Sequence, residues 1–461
     1  MKRRTFVGMM AAATLGSSRV NARVASERAL AVLLRGGRMY RGGRWAVGDV
    51  GVDEAGLLRF GSGLSAVETI DVSGKVVAPG FIDMLADNGA NLARTTPVFE
   101  KYKLTDGVTT ALQMHGGSPD CAGFYAQAAR SPHLINYGVS TFIMGIRYRI
   151  RDVPTRLRLV ERNLDCGALG VSHSIEYQPA PYPELLAYAR LARRYDRPFV
   201  LHLRYSSTEQ ELEGVDEGLR LARESGARLH IAHLHSTGGT FHMEAALEKI
   251  RRAIQSGVVV TTCVYPYSYW ATYLSSRRFD PGWRERYRLD YEDLRVVGSG
   301  ERITATSFAR HRRLRTLVAV PEGTMPFART FDLAIREDFC MIGSDGGIAR
   351  EPRSNSHPRG AACFATAVRY ALDHSIPLER MIMKMTELPR SLVREPLKDR
   401  AVLEEGQRAD LCVFDPATIR GNASVENPNQ FSEGIALVLV NGGLSYRAGR
   451  LGAQSGKAIR Y

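Results

Sequence analysis

Apolar residues along this chain fall into two rhythms. Residues 27–80 carry short apolar runs broken by glycines: Ala31-Val32-Leu33-Leu34, Trp45-Ala46-Val47, Leu57-Leu58-Arg59-Phe60 and Lys75-Val76-Val77. Runs of this length between turn residues read as strands. Residues 400–461 repeat the pattern, with Asp410-Leu411-Cys412-Val413-Phe414 and Ala436-Leu437-Val438-Leu439-Val440-Asn441-Gly442. Two β-rich ends around a long centre predict one small β-sandwich built from both chain ends, residues 23–80 and 396–461. In the centre, apolar runs alternate with helical patterns such as Tyr182–Tyr195 and Glu209–Ser225. The strand candidates are Gly80–Met84, Thr109–Met114, Tyr137–Ile143, Ala168–His173, Pro198–His202, Leu229–His233, Val258–Val264 and Phe339–Ser344. Eight strand–helix repeats predict an α/β fold, a (β/α)8 TIM-like barrel over residues 81–395. In such barrels the chemistry sits at the C-terminal ends of the strands. Residues 270–310, rich in Arg, Tyr and Asp, show little periodicity and read as a long loop over the barrel mouth.

Composition narrows the function classes. Hydrophobic residues make up 44% of the 461 positions and charged residues 24%, ordinary for a globular protein. No segment approaches the ~20 apolar residues a membrane span needs, so no stable membrane insertion is expected. The formal charge is +14. The basic residues are scattered, and no zinc-finger, RRM-like or helix-turn-helix pattern accompanies them, which argues against nucleic acid as a partner. The run Arg310–Arg315 reads as a solvated helix face; the other use for such charge is an anionic small-molecule substrate. At the N-terminus, Arg3-Arg4-Thr5-Phe6-Val7 is a twin-arginine pattern. A short apolar run, Val7–Leu15, and a small-residue cleavage site, Val20-Asn21-Ala22, follow it. Residues 1–22 are therefore expected to be a signal peptide read by the Tat export machinery, which delivers folded protein to a bacterial periplasm. The six cysteines include no CxxC pair and several sit in apolar runs, so buried thiols are expected rather than a disulfide framework.

Three strand ends carry candidate chemistry. His202 ends Pro198–His202, His233 ends Leu229–His233, and Asp345 follows Phe339–Ser344. Imidazoles and a carboxylate at one barrel mouth can hold zinc and move a proton. The surrounding motifs carry a resemblance. Val77-Ala78-Pro79-Gly80-Phe81-Ile82-Asp83 is similar to the first barrel strand of the amidohydrolase superfamily, and Asp106-Gly107-Val108-Thr109-Thr110 to its second. Gly167–Ser172, Glu176-Tyr177-Gln178-Pro179, Tyr265-Pro266-Tyr267, Ser344-Asp345-Gly346, His357-Pro358-Arg359-Gly360 and Glu405–Leu411 resemble the N-acyl-D-amino-acid deacylase (D-aminoacylase) branch. The similarity runs from about residue 30 to 450 in consistent order. It implies a barrel with a β-sandwich and hydrolysis of an amide C–N bond, other than a peptide bond, in an N-acyl-D-amino acid or peptide-like small molecule. It also implies Asp345 as the proton-moving group, His202 and His233 as metal ligands, and Arg359, Tyr265 and Tyr267, with Arg204, as substrate-binding residues. A guanidinium fork suits a carboxylate.

The resemblance breaks at the metal motifs. The family's first strand ends Asp-x-His-x-His; here it reads Asp83-Met84-Leu85-Ala86-Asp87. Leucine offers no lone pair to zinc. The second strand's usual Cys is Gly116 here, with His115 one residue before it. His235 stands at the lysine of a Ser-His-Leu-Lys motif and joins Asp345 as a candidate catalytic group. Three readings stay open. One zinc ion survives on His202, His233 and either His115 or Asp87; three protein ligands and water suffice for a catalytic site. Alternatively, no metal binds and the imidazole–carboxylate cluster runs a hydrolase, acyl-transferase or isomerase. Or the pocket only binds a ligand. Glu176 and His173 are further candidates for the site, and His357 for orienting Arg359.

Overall fold

The computed structural model describes residues 30–87, 92–320, 326–348 and 357–461; residues 1–22, the expected export signal, lie outside them. Eight strands, here β1 to β8, form one parallel sheet in sequence order: β1 Phe81–Asp83, β2 Val108–Ser118, β3 Asn136–Phe142, β4 Val171–Ser174, β5 Phe199–His202, β6 Leu229–Ile231, β7 Val260–Val264 and β8 Cys340–Ile342. The seam between β1 and β8 is closed from both sides. Asp83 accepts the Ser344 backbone N–H at 3.0 Å, and Ala86–Asp87 pairs in parallel with Gly346–Gly347. All four residues of β5 are buried, as expected where helices cover one face and the barrel interior the other. Ile82, Leu112, Met114, Leu169, Val200 and Met341 pack together inside. Leu85 joins that cluster at 1% exposure, so the first-strand position without a ligand is part of the apolar stack.

The β-rich ends form one nine-stranded sheet. Val76–Pro79 pairs antiparallel with Leu411–Phe414, which joins strands from residues 30–79 to strands from residues 411–451. The last residues return to the barrel: Ile459 is buried with the interior cluster, and its carbonyl accepts the Tyr125 hydroxyl at 2.9 Å.

The stretch 270–310 is not a plain loop. Trp270–Tyr273, Arg295–Val296 and Leu317–Val320 form a three-stranded antiparallel sheet. Helices Trp283–Tyr287 and Ala305–Arg313 pack beside it. Its elements are too short to print a period on the sequence, and clustered rings of Trp270, Phe279, Trp283, Tyr291 and Phe308 hold it together. Among the described residues no helix is long and apolar enough to cross a membrane. The six cysteines are free thiols, and all but Cys166 are buried.

Candidate metal centre at the barrel mouth

Strand alternation puts Val200 and His202 on the same inward face, so His202 tops the interior stack. The same rule would turn His115 outward, because Leu112 and Met114 already point in. The register of β2 against β3 breaks between Gln113 and Ser118. A bulge re-aims the side chains beyond it, and His115 turns into the mouth. Gly117 permits this: its φ is +77°, and a Cβ there would meet the Ser140 carbonyl oxygen at 2.3 Å. His233 (φ 32°) and Asp345 (φ 46°) follow β6 and β8 in left-handed backbone. Non-glycine residues held there cost roughly 1–3 kcal/mol each and cluster at functional sites.

The ligand atoms of His115, His202 and His233 all lie within 4.8 Å of one another. Each ring has one nitrogen anchored by a neighbour. His202 Nε2 meets Glu176 Oε2 at 2.9 Å. His233 Nδ1 meets Ser236 Oγ at 2.9 Å, and His115 Nε2 meets Ser174 Oγ at 3.0 Å. The other nitrogens turn inward: His202 Nδ1 and His233 Nε2 are 3.2 Å apart, and His115 Nδ1 is 3.1 Å from Asp345 Oδ1. The Glu176 carboxylate can only accept, which puts the His202 proton on Nε2. Ser236 Oγ donates to the His233 carbonyl at 3.0 Å and so accepts from Nδ1–H. Two imidazole lone pairs thus face each other across 3.2 Å. Bonds of about 2.0–2.1 Å in a tetrahedral zinc site set nitrogens roughly 3.3–3.4 Å apart. The His202–His233 pair therefore has the spacing of two ligands of one zinc-like ion, with His115 and Asp345 beside it.

Burial pulls His202 down to about 4 despite Glu176, and pulls His233 well below its usual value. Neutral imidazoles are the form that binds metal. Burial pushes the Asp345 carboxyl up, but Arg359, His233 and His115 outweigh it and hold it well below the usual range. Glu176 behaves alike: burial opposes ionisation, yet Arg278, His202 and Ser206 bring it to about 2. Beneath the mouth, Lys103 Nζ lies 2.7 Å from Asp83 Oδ2 and 3.1 Å from Ser344 Oγ, all fully buried, and this fixes the residue before Asp345.

The other candidates divide. Arg359 Nη2 lies 2.8 Å from Asp345 Oδ2, and its guanidinium stacks over Tyr265 at 4.3 Å. Arg359 Nε, the Tyr265 hydroxyl and His235 Nδ1 are buried without a hydrogen-bond partner among the described residues. His235 Nε2 is 3.1 Å from the Tyr265 carbonyl. His357 Nδ1 accepts the Arg359 backbone N–H at 3.0 Å. Tyr267 spends its hydroxyl on the Ala362 carbonyl. Arg204 lines an open cavity of about 200 Å³ beside Glu176, but its guanidinium is held by Glu217 at 2.7 and 2.8 Å. Asp87 is exposed on the seam strand and is not one of the three clustered ligands. His173 is fully buried; β4 turns Ser172 and Ser174 inward, so His173 faces the helices. Sequence reasoning missed Ser174, Ser236, Lys103 and Arg278. Ser174 alone left a signal, two residues from the inward Ser172; Arg278 is one arginine among many.

No family model matches the chain. N-acyl-D-glutamate deacylase of Alcaligenes xylosoxydans xylosoxydans is 28% identical over 456 residues, 86% of this chain and 88% of that protein. D-aminoacylase of the same organism is 28% identical over 469 residues, 89% and 93% of the two chains. Among solved structures, N-acyl-D-glutamate deacylase from Bordetella bronchiseptica, complexed with zinc and a phosphonate mimic of the tetrahedral intermediate, superposes with a TM-score of 0.79. It is 25% identical, and the match covers 94% of this chain and all of that one. A D-aminoacylase structure matches in fold with the same score at 23% identity. Along nearly its whole length, the chain is similar in sequence to N-acyl-D-glutamate deacylase and D-aminoacylase, and it shares their fold.

Proposed function

We propose that this protein hydrolyses the amide C–N bond of an N-acyl-D-amino acid, using one divalent metal ion held by His115, His202 and His233. The observation that carries the reading is the convergence of His115, His202 and His233, whose ligand atoms lie within 4.8 Å of one another beside Asp345. Three neutral imidazoles gathered in this way at a buried mouth form a donor set that suits one divalent cation. When bound, such an ion supplies Lewis acidity toward the amide carbonyl and lowers the pKa of bound water.

The chain's own groups supply the rest. Arg359 Nε, Tyr265 and His235 offer unspent polar atoms to a substrate carboxylate and amide. Asp345 is paired with Arg359 before substrate arrives, which keeps it ionised and a weak base. A substrate carboxylate competing for Arg359 loosens that pair, and Asp345 then gains basicity where a proton must move from attacking water to leaving nitrogen. The names of the relatives support the D-configured acyl amino acid as substrate class.

The test is amine release from matched N-acetyl-D- and N-acetyl-L-amino acids, acidic and apolar, by zinc-reconstituted protein. D-selective release with about one zinc per chain is expected. If the zinc-loaded protein is thermally stabilised by these compounds but cleaves none, the protein is a ligand-binding relative instead. The twin-arginine pattern supports the further proposal of Tat export to the periplasm. Arg3 and Arg4 changed to lysine should leave the protein in the cytoplasmic fraction; unchanged periplasmic recovery would refute that.

A further inference from the structure

Arg278 belongs to the folded insertion, not to the barrel, yet its side chain is only 4% exposed and ends between two barrel residues. Its Nη2 donates to the Ser236 carbonyl at 2.8 Å. Its Nε lies 3.3 Å from Glu176 Oε2. The guanidinium plane covers Trp270 at 4.1 Å, within the insertion's own aromatic cluster. Glu176 anchors the outer nitrogen of His202, and Ser236 anchors the outer nitrogen of His233. One rigid cation therefore touches the groups that orient both imidazoles.

We propose that Arg278 is a positioning residue through which the docked insertion fixes the tautomers of His202 and His233. The physical reasoning is specific to arginine. Its Nη2 donates to Ser236 while the delocalised charge of the same planar group lies against Glu176, whereas an ammonium is a single point charge. Arg278 lies against Glu176, and the Glu176 oxygen 2.9 Å from His202 Nε2 accepts the proton of that nitrogen. Holding the Ser236 backbone fixes the hydroxyl that takes the His233 proton on Nδ1. Opposite tautomers on the two rings leave both inner nitrogens free to donate. Partners of this kind typically alter metal affinity about 10–100-fold. The consequence for zinc rests on the metal-centre reading above; the tautomers do not.

The experiment compares wild type, Arg278→Met and Arg278→Lys as full-length apo-proteins with 15N-labelled histidine. Ring-nitrogen correlation spectra report each tautomer, and competition with a chromophoric chelator gives the zinc affinity. Wild type should show His202 as Nε2–H and His233 as Nδ1–H. Arg278→Met should mix both tautomers and weaken zinc about 10–100-fold; Arg278→Lys should fall between the two. If Arg278→Met does not fold, Arg278→Lys carries the comparison. Wild-type tautomers in a folded variant overturn the proposal. So does a raised KM with unchanged tautomers and zinc affinity, which would assign Arg278 to substrate contact. If wild type binds no zinc while its tautomers depend on Arg278, the positioning role stands and the metal-centre reading fails.

Discussion

At the scale of single residues, the proposed hydrolysis assigns the proton transfer to Asp345. It touches His115 at 3.1 Å and Arg359 at 2.8 Å, and lies 3.7 Å from His233. An Asp345→Asn variant keeps the shape and loses the proton acceptor. Turnover should fall about 10²–10⁴-fold with the unfolding midpoint nearly unchanged; activity near wild type would remove Asp345 from the mechanism. His202, His233 and Asp345 were legible in the sequence because each ends an apolar strand run. His115 was legible only as an alternative to Asp87, because a regular strand would turn it away from the mouth. Only the broken register after Gln113 brings it in. Leu85 shows the reverse: its side chain cannot bind metal, and the structure gives it packing instead.

At the scale of elements, the helices behind β3 and β4 are tied by a buried charge cluster invisible to periodicity. Glu184, on the helix Tyr182–Arg194, accepts from Arg147, from Arg156 Nη1 at 2.7 Å and from the Tyr188 hydroxyl at 2.8 Å. Arg147 and Arg156 belong to the two preceding helices, Ile143–Arg147 and Val153–Asp165. Burial raises the Glu184 pKa, but these donors together bring it below the usual 4.5. A depressed carboxyl contributes stability that is fully present above its unfolded pKa and is lost as pH falls through the folded one. Glu184→Gln should therefore cost about 1–3 kcal/mol at pH 7. Its deficit against wild type should shrink as pH drops below 4.5; a deficit constant from pH 7 to pH 3, followed by denaturant titration, would contradict the assignment. The insertion belongs to this scale as well. Its composition marked it as unusual, but three short strands held by non-local ring contacts leave no local signature.

At the scale of the molecule, the β-domain exists only because both chain ends reach one sheet through the pairing of Val76–Pro79 with Leu411–Phe414. The tail then passes Tyr137 and buries Ile459 against Leu112, Leu169 and Val200. Ile459→Ala should lower stability by about 2–5 kcal/mol and leave zinc affinity alone, since the histidines sit at the other end of the strands; an unchanged unfolding midpoint would show the tail to be dispensable. The sequence by itself determined the barrel, its eight strands, the two-ended β-domain and three of the strand-end groups. These follow from periodicity and turn chemistry, which act over a few neighbouring residues. The tertiary structure decided which candidates meet. His115 joins His202 and His233 through a bulge, Asp87 lies exposed outside the cluster, Arg204 is held by Glu217, and Ser174, Ser236, Glu176 and Arg278 hold the rings from outside. Those relations depend on distances between residues that lie far apart along the chain, and no local pattern encodes them.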